Sequence, residues 1–169
     1  MSKINVLVIG SGGREHTMVW SLAKDEIAGE IFCCPGNGGT GEIATNVNIP
    51  ITDFELLSSY VTQNNIHLTI VGPEVPLAEG IVDYFEDKEL KIFGPRKFAA
   101  MLESSKIFAR NFMRKNEIPQ PEFIVCESRK TAEKAISEFV FPVVVKADGL
   151  AAGKGVIICR DEHEFEDSL

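Results

Sequence analysis

INVLVIGSGGREH, residues 4–16, runs from an apolar segment through a glycine turn into residues that open a helix. A strand buried on both faces of a parallel sheet reads as an unbroken apolar run, and VLVI within Ile4 to Ile9 meets that description. The helix extends from Arg14 to about Ala23, and Glu30 to Cys34 supplies a second strand, completing a βαβ unit. Outward from there the alternation recurs as helix Phe54 to Asn64, strand His67 to Val71, helix Leu77 to Asp87 and short strand Lys91 to Phe93. Four strands with intervening helices predict an α/β, doubly wound parallel sheet that closes near Pro95.

Beyond it, Phe98 to Asn116 is helical and charged, and it stops at Glu117-Ile118-Pro119-Gln120-Pro121, where two prolines impose an extended connector. A small α+β unit follows. Its expected elements are strand Glu122 to Cys126, helix Lys130 to Phe139, strand Val143 to Ala147, a glycine turn, strand Val156 to Cys159 and a helix from about Asp161. That helical pattern reaches Leu169 with no capping glycine, so the unit is expected to be incomplete.

Of the 169 residues 44% are apolar and 25% charged, enough to bury a core and too apolar for a disordered chain. Acidic residues outnumber basic ones 25 to 17, and the net charge of −8 disfavours a nucleic-acid partner. No apolar run suits a signal peptide or a membrane span, which predicts a cytoplasmic protein without a membrane partner. Cys33, Cys34, Cys126 and Cys159 lack CxxC spacing and a nearby histidine pair. Buried free thiols are expected, not a zinc site or disulfides.

Three loops follow the carboxyl ends of the parallel strands: Gly10 to His16, Pro35 to Thr40, and Gly72-Pro73-Glu74. Ligands of open α/β sheets bind in the crevice outside those ends, and a glycine turn opening a helix suits a phosphate. The glycines also have a plainer use, which is to shape tight turns. A dinucleotide fingerprint would need glycine at position 15, where Glu15 stands, so an NAD-dependent oxidoreductase is disfavoured.

Lys106 stands near a helix start, where a lysine usually extends into solvent. The segment VVVKADGLAAGKGV places Lys146 at a strand end before a loop containing Lys154. It is not a Walker A loop, since three residues separate Gly149 from Gly153 and Gly155 follows Lys154. A glycine loop flanked by lysines can fold over a triphosphate, although a plain hairpin turn asks for less.

Together VLVIGSGGREH, PGNGGT, VGPEVPLAEGIVD, IFGP, SSKIFARNFM and VVVKADGLAAGKGV resemble the phosphoribosylamine–glycine ligase family of the ATP-grasp superfamily, in that family's order across nearly the whole chain. The resemblance implies a Rossmann-like pre-ATP-grasp domain over residues 1–103, the start of an ATP-grasp core over 104–122 and an incomplete α+β lid over 123–169. It implies a phosphoribosylamine site around Gly10, Gly12, Gly13, Arg14, Glu15, His16, Asn37, Gly39, Thr40, Gly72, Pro73 and Glu74. Arg14 and the loop amides would be its phosphate contacts. ATP would be held by Lys106 and Lys146, with Gly149, Gly153, Lys154 and Gly155 in the loop above and Lys154 the weaker candidate.

Glycine and ATP are the other implied substrates, and no catalytic residue is assigned. The family's magnesium carboxylates and adenine hinge lie in segments beyond this sequence. The acids from Asp161 to Asp167 read as an exposed helix face, so no metal site is expected here. The chain is therefore expected to be the N-terminal part of such a ligase, inactive alone. The alternative is a stand-alone nucleotide or sugar-phosphate binding module without catalysis.

Overall fold

The computed structural model describes residues 3–151 and 154–169. The chain divides into two compact units, Met1–Ala100 and Met101–Leu169. The first contains β1 (Ile4–Gly10), α1 (Gly13–Leu22), β2 (Ala28–Pro35), a 3-10 turn (Thr40–Glu42), β3 (Thr45–Asn46), α2 (Phe54–Gln63), β4 (Ile66–Val71), α3 (Glu74–Glu79), α4 (Ile81–Asp87) and β5 (Ile92–Phe93). Its sheet has the order β3-β2-β1-β4-β5 with every pair parallel. The chain builds outward from β1 through β2 and β3, then crosses to β4 and β5 on the other side. That reversal makes β1 the topological switch point.

The sheet is five-stranded, one strand more than the sequence pattern predicts. The addition is β3, which pairs Thr45 with Phe32 and Asn46 with Cys33. Two residues are too few to leave a periodicity.

Successive strand residues point to opposite faces, and here both faces are covered. Leu7, Ile9, Phe32 and Cys34 pack with Leu57 and Val61 of α2 and with Ile81, Val82 and Phe85 of α4. Val6, Val8, Ile31 and Cys33 pack instead with Val19 of α1. Val6, Leu7, Val8 and Ile9 are fully buried. Burial of each such side chain is worth about 1.5–3 kcal/mol, which is why β1 anchors the unit.

The adjacent thiols of Cys33 and Cys34 serve opposite cores, and Cys159 is also buried. The expectation of buried thiols fails at Cys126, which is exposed. The predicted helix Leu77 to Asp87 is two helices, parted at Gly80, whose φ of +99° is left-handed.

The remaining elements are α5 (Lys97–Ser104), α6 (Lys106–Lys115), α7 (Arg129–Ala135), a 3-10 turn (Ile136–Glu138), β6 (Val143–Lys146), β7 (Val156–Cys159) and α8 (Glu162–Asp167). The single helix predicted from Phe98 to Asn116 is broken at Ser105. That residue is extended, with φ −131°, and its hydroxyl accepts from the Phe108 amide at 3.1 Å as a helix N-cap.

Among the described residues no strand forms over Glu122 to Cys126, contrary to expectation. A strand needs a ladder partner, and the Phe123 carbonyl instead accepts from the Arg114 guanidinium at 3.3 Å, which also stacks 4.1 Å from the Phe123 ring. β6 and β7 pair antiparallel, with Ala132, Cys159 and Phe165 as the small core beneath them. Among the described residues no helix is long and apolar enough to cross a membrane.

Candidate functional site

In the first unit the strands β1, β2 and β4 end side by side and release their loops together. Backbone bonds hold the three starts in line: the Gly36 amide donates to Gly10 O at 3.1 Å and the Gly72 amide to Ile9 O at 3.0 Å. Outside them lies a cleft of about 480 Å3 lined by Gly10, Ser11, Gly12, Arg14, Glu15, Pro73 and Glu74, and by Pro35 and Asn48 to Ile51.

Glu15 organises this corner. It sits in the first turn of α1, is 3% exposed, and its Oε2 accepts from the Gly12 amide at 2.7 Å. A Cβ placed on Gly10 or Gly72 would run into the Glu15 side chain, so these two glycines make room for a carboxylate, while one on Gly12 would stand in tight contact, 3.0 Å from Glu15 Oε2. Gly10 carries a second demand, a φ of +131°. Oε1 of Glu15 is buried without a hydrogen-bond donor among the described residues, its nearest cation being Arg14 Nε at 3.9 Å. The turn is thus partly filled from inside, with the Gly12 amide already engaged. Gly13 begins α1 in open space, where packing does not require glycine.

Arg14 projects into solvent and pairs with Glu74 at 3.3 Å across the cleft mouth. The Glu74 carboxyl lies below its ordinary value, held there by its own backbone amide and then by the Arg14 guanidinium.

Asn37 and Thr40 build an adjacent turn. Asn37 Oδ1 accepts from the amides of Gly39 at 2.9 Å and Thr40 at 3.0 Å, while its Nδ2 donates to Ser11 O at 2.8 Å, tying the second loop to the first. Thr40, fully buried, donates to Asn46 Oδ1 at 2.7 Å. His16 lies half-buried against Gly39, where its ring occupies the space a Cβ would need. Asn46 and the stretch Asn48 to Ile51 escaped sequence reasoning because Asn46 lies in the two-residue β3 and the stretch follows it.

The second unit holds a separate cleft of about 310 Å3, lined by Leu102, Glu103, Lys106, Ala109, Arg110, Met113 and Lys146. Lys106 does not extend freely into solvent: it is half-buried and its ammonium donates to Gly149 O at 2.8 Å. Spacing of four residues on α6 puts Arg110 on the same face as Lys106. Arg110 is steadied by Gln120, which accepts from its guanidinium at 3.4 Å and donates to its carbonyl at 3.0 Å. Three cations from a helix and a strand end therefore meet in one concavity, an arrangement suited to a polyphosphate.

Asp148 ties the loop after β6 to α6. Its carboxylate accepts from the Ile107 amide at 3.2 Å and from the Ser105 hydroxyl at 3.2 Å. Burial pushes its carboxyl up, but the amides of Ile107, Gly149 and Lys106 and the Ser105 hydroxyl outweigh it, leaving it below the ordinary value. Gly149 has φ +95°, and the Ala147 amide donates to Gly155 O at 2.9 Å, closing the base of the loop. Lys154 is exposed, and Gly153 lies outside the described residues. Among the described residues no group of three or more His, Cys, Asp or Glu is placed to hold a metal ion.

Residues 4–103 match a family described as phosphoribosylglycinamide synthetase, N domain, and residues 104–169 match its ATP-grasp (A) domain. The phosphoribosylamine–glycine ligase of Caldanaerobacter subterraneus is 51% identical over 98% of this chain and 40% of its own length. The chain thus spans about 40% of the length of the curated relatives it matches. The crystal structure of phosphoribosylamine–glycine ligase from Thermotoga maritima aligns with a TM-score of 0.76 and 32% identity, over 97% of this chain and 38% of that one. N5-carboxyaminoimidazole synthase from Aspergillus clavatus, solved with ADP and 5-aminoimidazole ribonucleotide, shares the fold at TM-score 0.75 and 16% identity, over 99% of this chain and 43% of that one.

Proposed function

Because the chain belongs to the phosphoribosylglycinamide synthetase family, we propose that it forms part of an ATP-dependent ligase joining glycine to 5-phosphoribosylamine. In the reaction a glycine carboxylate oxygen takes the γ-phosphoryl group of ATP and releases ADP. The amine of phosphoribosylamine then attacks the acyl carbon and expels phosphate, giving glycinamide ribonucleotide. Purine biosynthesis is the metabolic setting and the cytoplasm the location.

Residues 1–103 serve as the substrate domain, residues 104–122 open the ATP-grasp core and residues 123–169 contribute to its lid. In the first unit Gly10, Gly12, Gly13, Arg14, Glu15 and His16, with Asn37, Gly39, Thr40, Gly72, Pro73 and Glu74, form the corner that receives phosphoribosylamine. Arg14 is its cation. Glu15 sets the shape of the turn, and Asn37 holds two loops in register. In the second unit Lys106 and Lys146 bind the ATP phosphates, with Gly149, Lys154 and Gly155 in the loop that follows Lys146.

These residues act by positioning and by neutralising charge, the main contributions available to a protein in phosphoryl and acyl transfer. Magnesium would neutralise phosphate charge, but the described residues offer it no cluster of three or more His, Cys, Asp or Glu.

The observation that supports this most directly is the shared cleft of Lys106, Arg110 and Lys146 in an otherwise acidic chain. Steady-state kinetics of Lys146→Ala in the full-length protein test it. Losing one charge-assisted phosphate contact should lower kcat/KM for ATP by about tenfold to a hundredfold, with little change in melting temperature. Unchanged ATP kinetics would remove Lys146 from the nucleotide site.

A further inference from the structure

Lys106 is the first residue of α6 and Lys146 the last of β6, so their meeting depends on how the loop after β6 is attached to the helix. The attachment is a carboxylate. α6 has no acidic residue in its own first turn, although its unpaired amides and dipole favour one. Asp148, two residues after Lys146, supplies it from outside the helix. Its Oδ1 accepts from the Ile107 amide at 3.2 Å, and its two oxygens lie 3.3 and 3.2 Å from the Ser105 hydroxyl.

Ser105 joins the two halves by also accepting from the Phe108 amide at 3.1 Å. One residue on, Gly149 O receives the Lys106 ammonium at 2.8 Å. The loop is therefore fastened to α6 at two adjacent points, one on the helix backbone and one on the Lys106 side chain.

We propose that Asp148 is a positioning residue for nucleotide: by capping α6 from the loop it fixes Lys106 on the wall of the cleft that Lys146 also lines. The two fastenings differ in what can compete for them. A polyphosphate anion can draw the Lys106 ammonium away from a neutral carbonyl. It cannot replace Asp148 at the Ile107 amide without moving the loop. Asp148 thus keeps the wall assembled while Lys106 exchanges its partner.

The inference rests on the nucleotide assignment of the second cleft, and the test separates the two. ATP and glycine kinetics are measured on the full-length protein as wild type, Asp148→Ala, Asp148→Asn, Lys106→Ala and the Lys106→Ala/Asp148→Ala double variant. Asp148→Ala should raise the KM for ATP by about tenfold and leave the KM for glycine unchanged. Asp148→Asn, which keeps an acceptor oxygen, should recover part of the loss, and it carries the test if the alanine variant does not fold. Because Asp148 acts through Lys106, the double variant should bind ATP little worse than Lys106→Ala alone.

Multiplying effects in the double variant, equal rises in both KM values, or an unchanged ATP KM in folded Asp148 variants would overturn the proposal. If Lys106→Ala itself leaves ATP kinetics untouched, the nucleotide assignment falls first.

Discussion

At the scale of single residues, Glu15 shows how one side chain can account for several glycines. The sequence offered phosphate binding and turn geometry as reasons for Gly10, Gly12 and Gly72. The structure adds another for Gly10 and Gly72, since the buried Glu15 side chain occupies the space where their Cβ atoms would stand. Gly72 has no positive φ, so alanine there meets a packing problem alone. Gly72→Ala should destabilise the protein by about 1–3 kcal/mol, the usual cost of overpacking. In a Glu15→Ala background much of that cost should vanish, giving a coupling of about 0.5–3 kcal/mol in a double-mutant cycle by urea denaturation. Strictly additive effects would show that Glu15 is not what excludes a side chain at position 72. Such reasons cannot be read from sequence, because Gly72 and Glu15 come from different strand ends. Ser105 and Asp148 escaped for the same cause: neither is unusual until a 41-residue separation is closed by the Ile107 amide.

At the scale of elements, the long periodic segments were legible and their interruptions were not. The strand within INVLVI carries the unbroken apolar run VLVI of a buried parallel strand, LTIV of the second is interrupted only by the buried Thr69, and both strands form where expected. Leu77 to Asp87 keeps a helical pattern throughout, yet Gly80 turns the backbone left-handed between α3 and α4. The amide of Gly80 donates to Pro76 O at 3.1 Å, closing α3, while its carbonyl accepts from the Tyr84 amide at 3.0 Å, opening α4. Periodicity cannot distinguish that from a continuous helix, since the break adds no residue. Gly80→Ala should cost about 1–2 kcal/mol, the penalty of left-handed backbone for a residue with a Cβ. The urea midpoint should fall with an unchanged slope. A variant as stable as wild type would mean that the two helices can merge without loss. The absent strand at Glu122 to Cys126 has the opposite origin: its apolar residues suggested a strand, but a strand is defined by its partner.

At the scale of the whole chain, the two units differ in what holds them. The first has a five-stranded sheet covered on both faces, with β1 fully buried from Val6 to Ile9. The second relies on Ala132, Cys159 and Phe165 beneath a two-stranded ladder, and leaves Val144 50% and Ile158 60% exposed. Composition could not reveal this imbalance, because apolar residues are present in both halves and only the fold decides which of them find cover. Two-stranded sheets are marginal alone, and local opening follows the number of apolar contacts that must be broken. In the 169-residue chain, amide hydrogen exchange should therefore be slowest at Val6 to Ile9, approaching the free energy of global unfolding. The amides of β6 and β7 should open at a much lower free energy and exchange orders of magnitude faster. Equal protection in β1 and β6 would mean that the units unfold as one cooperative body. The weaker sheet would then draw its stability from the β1 core rather than from its own few buried residues.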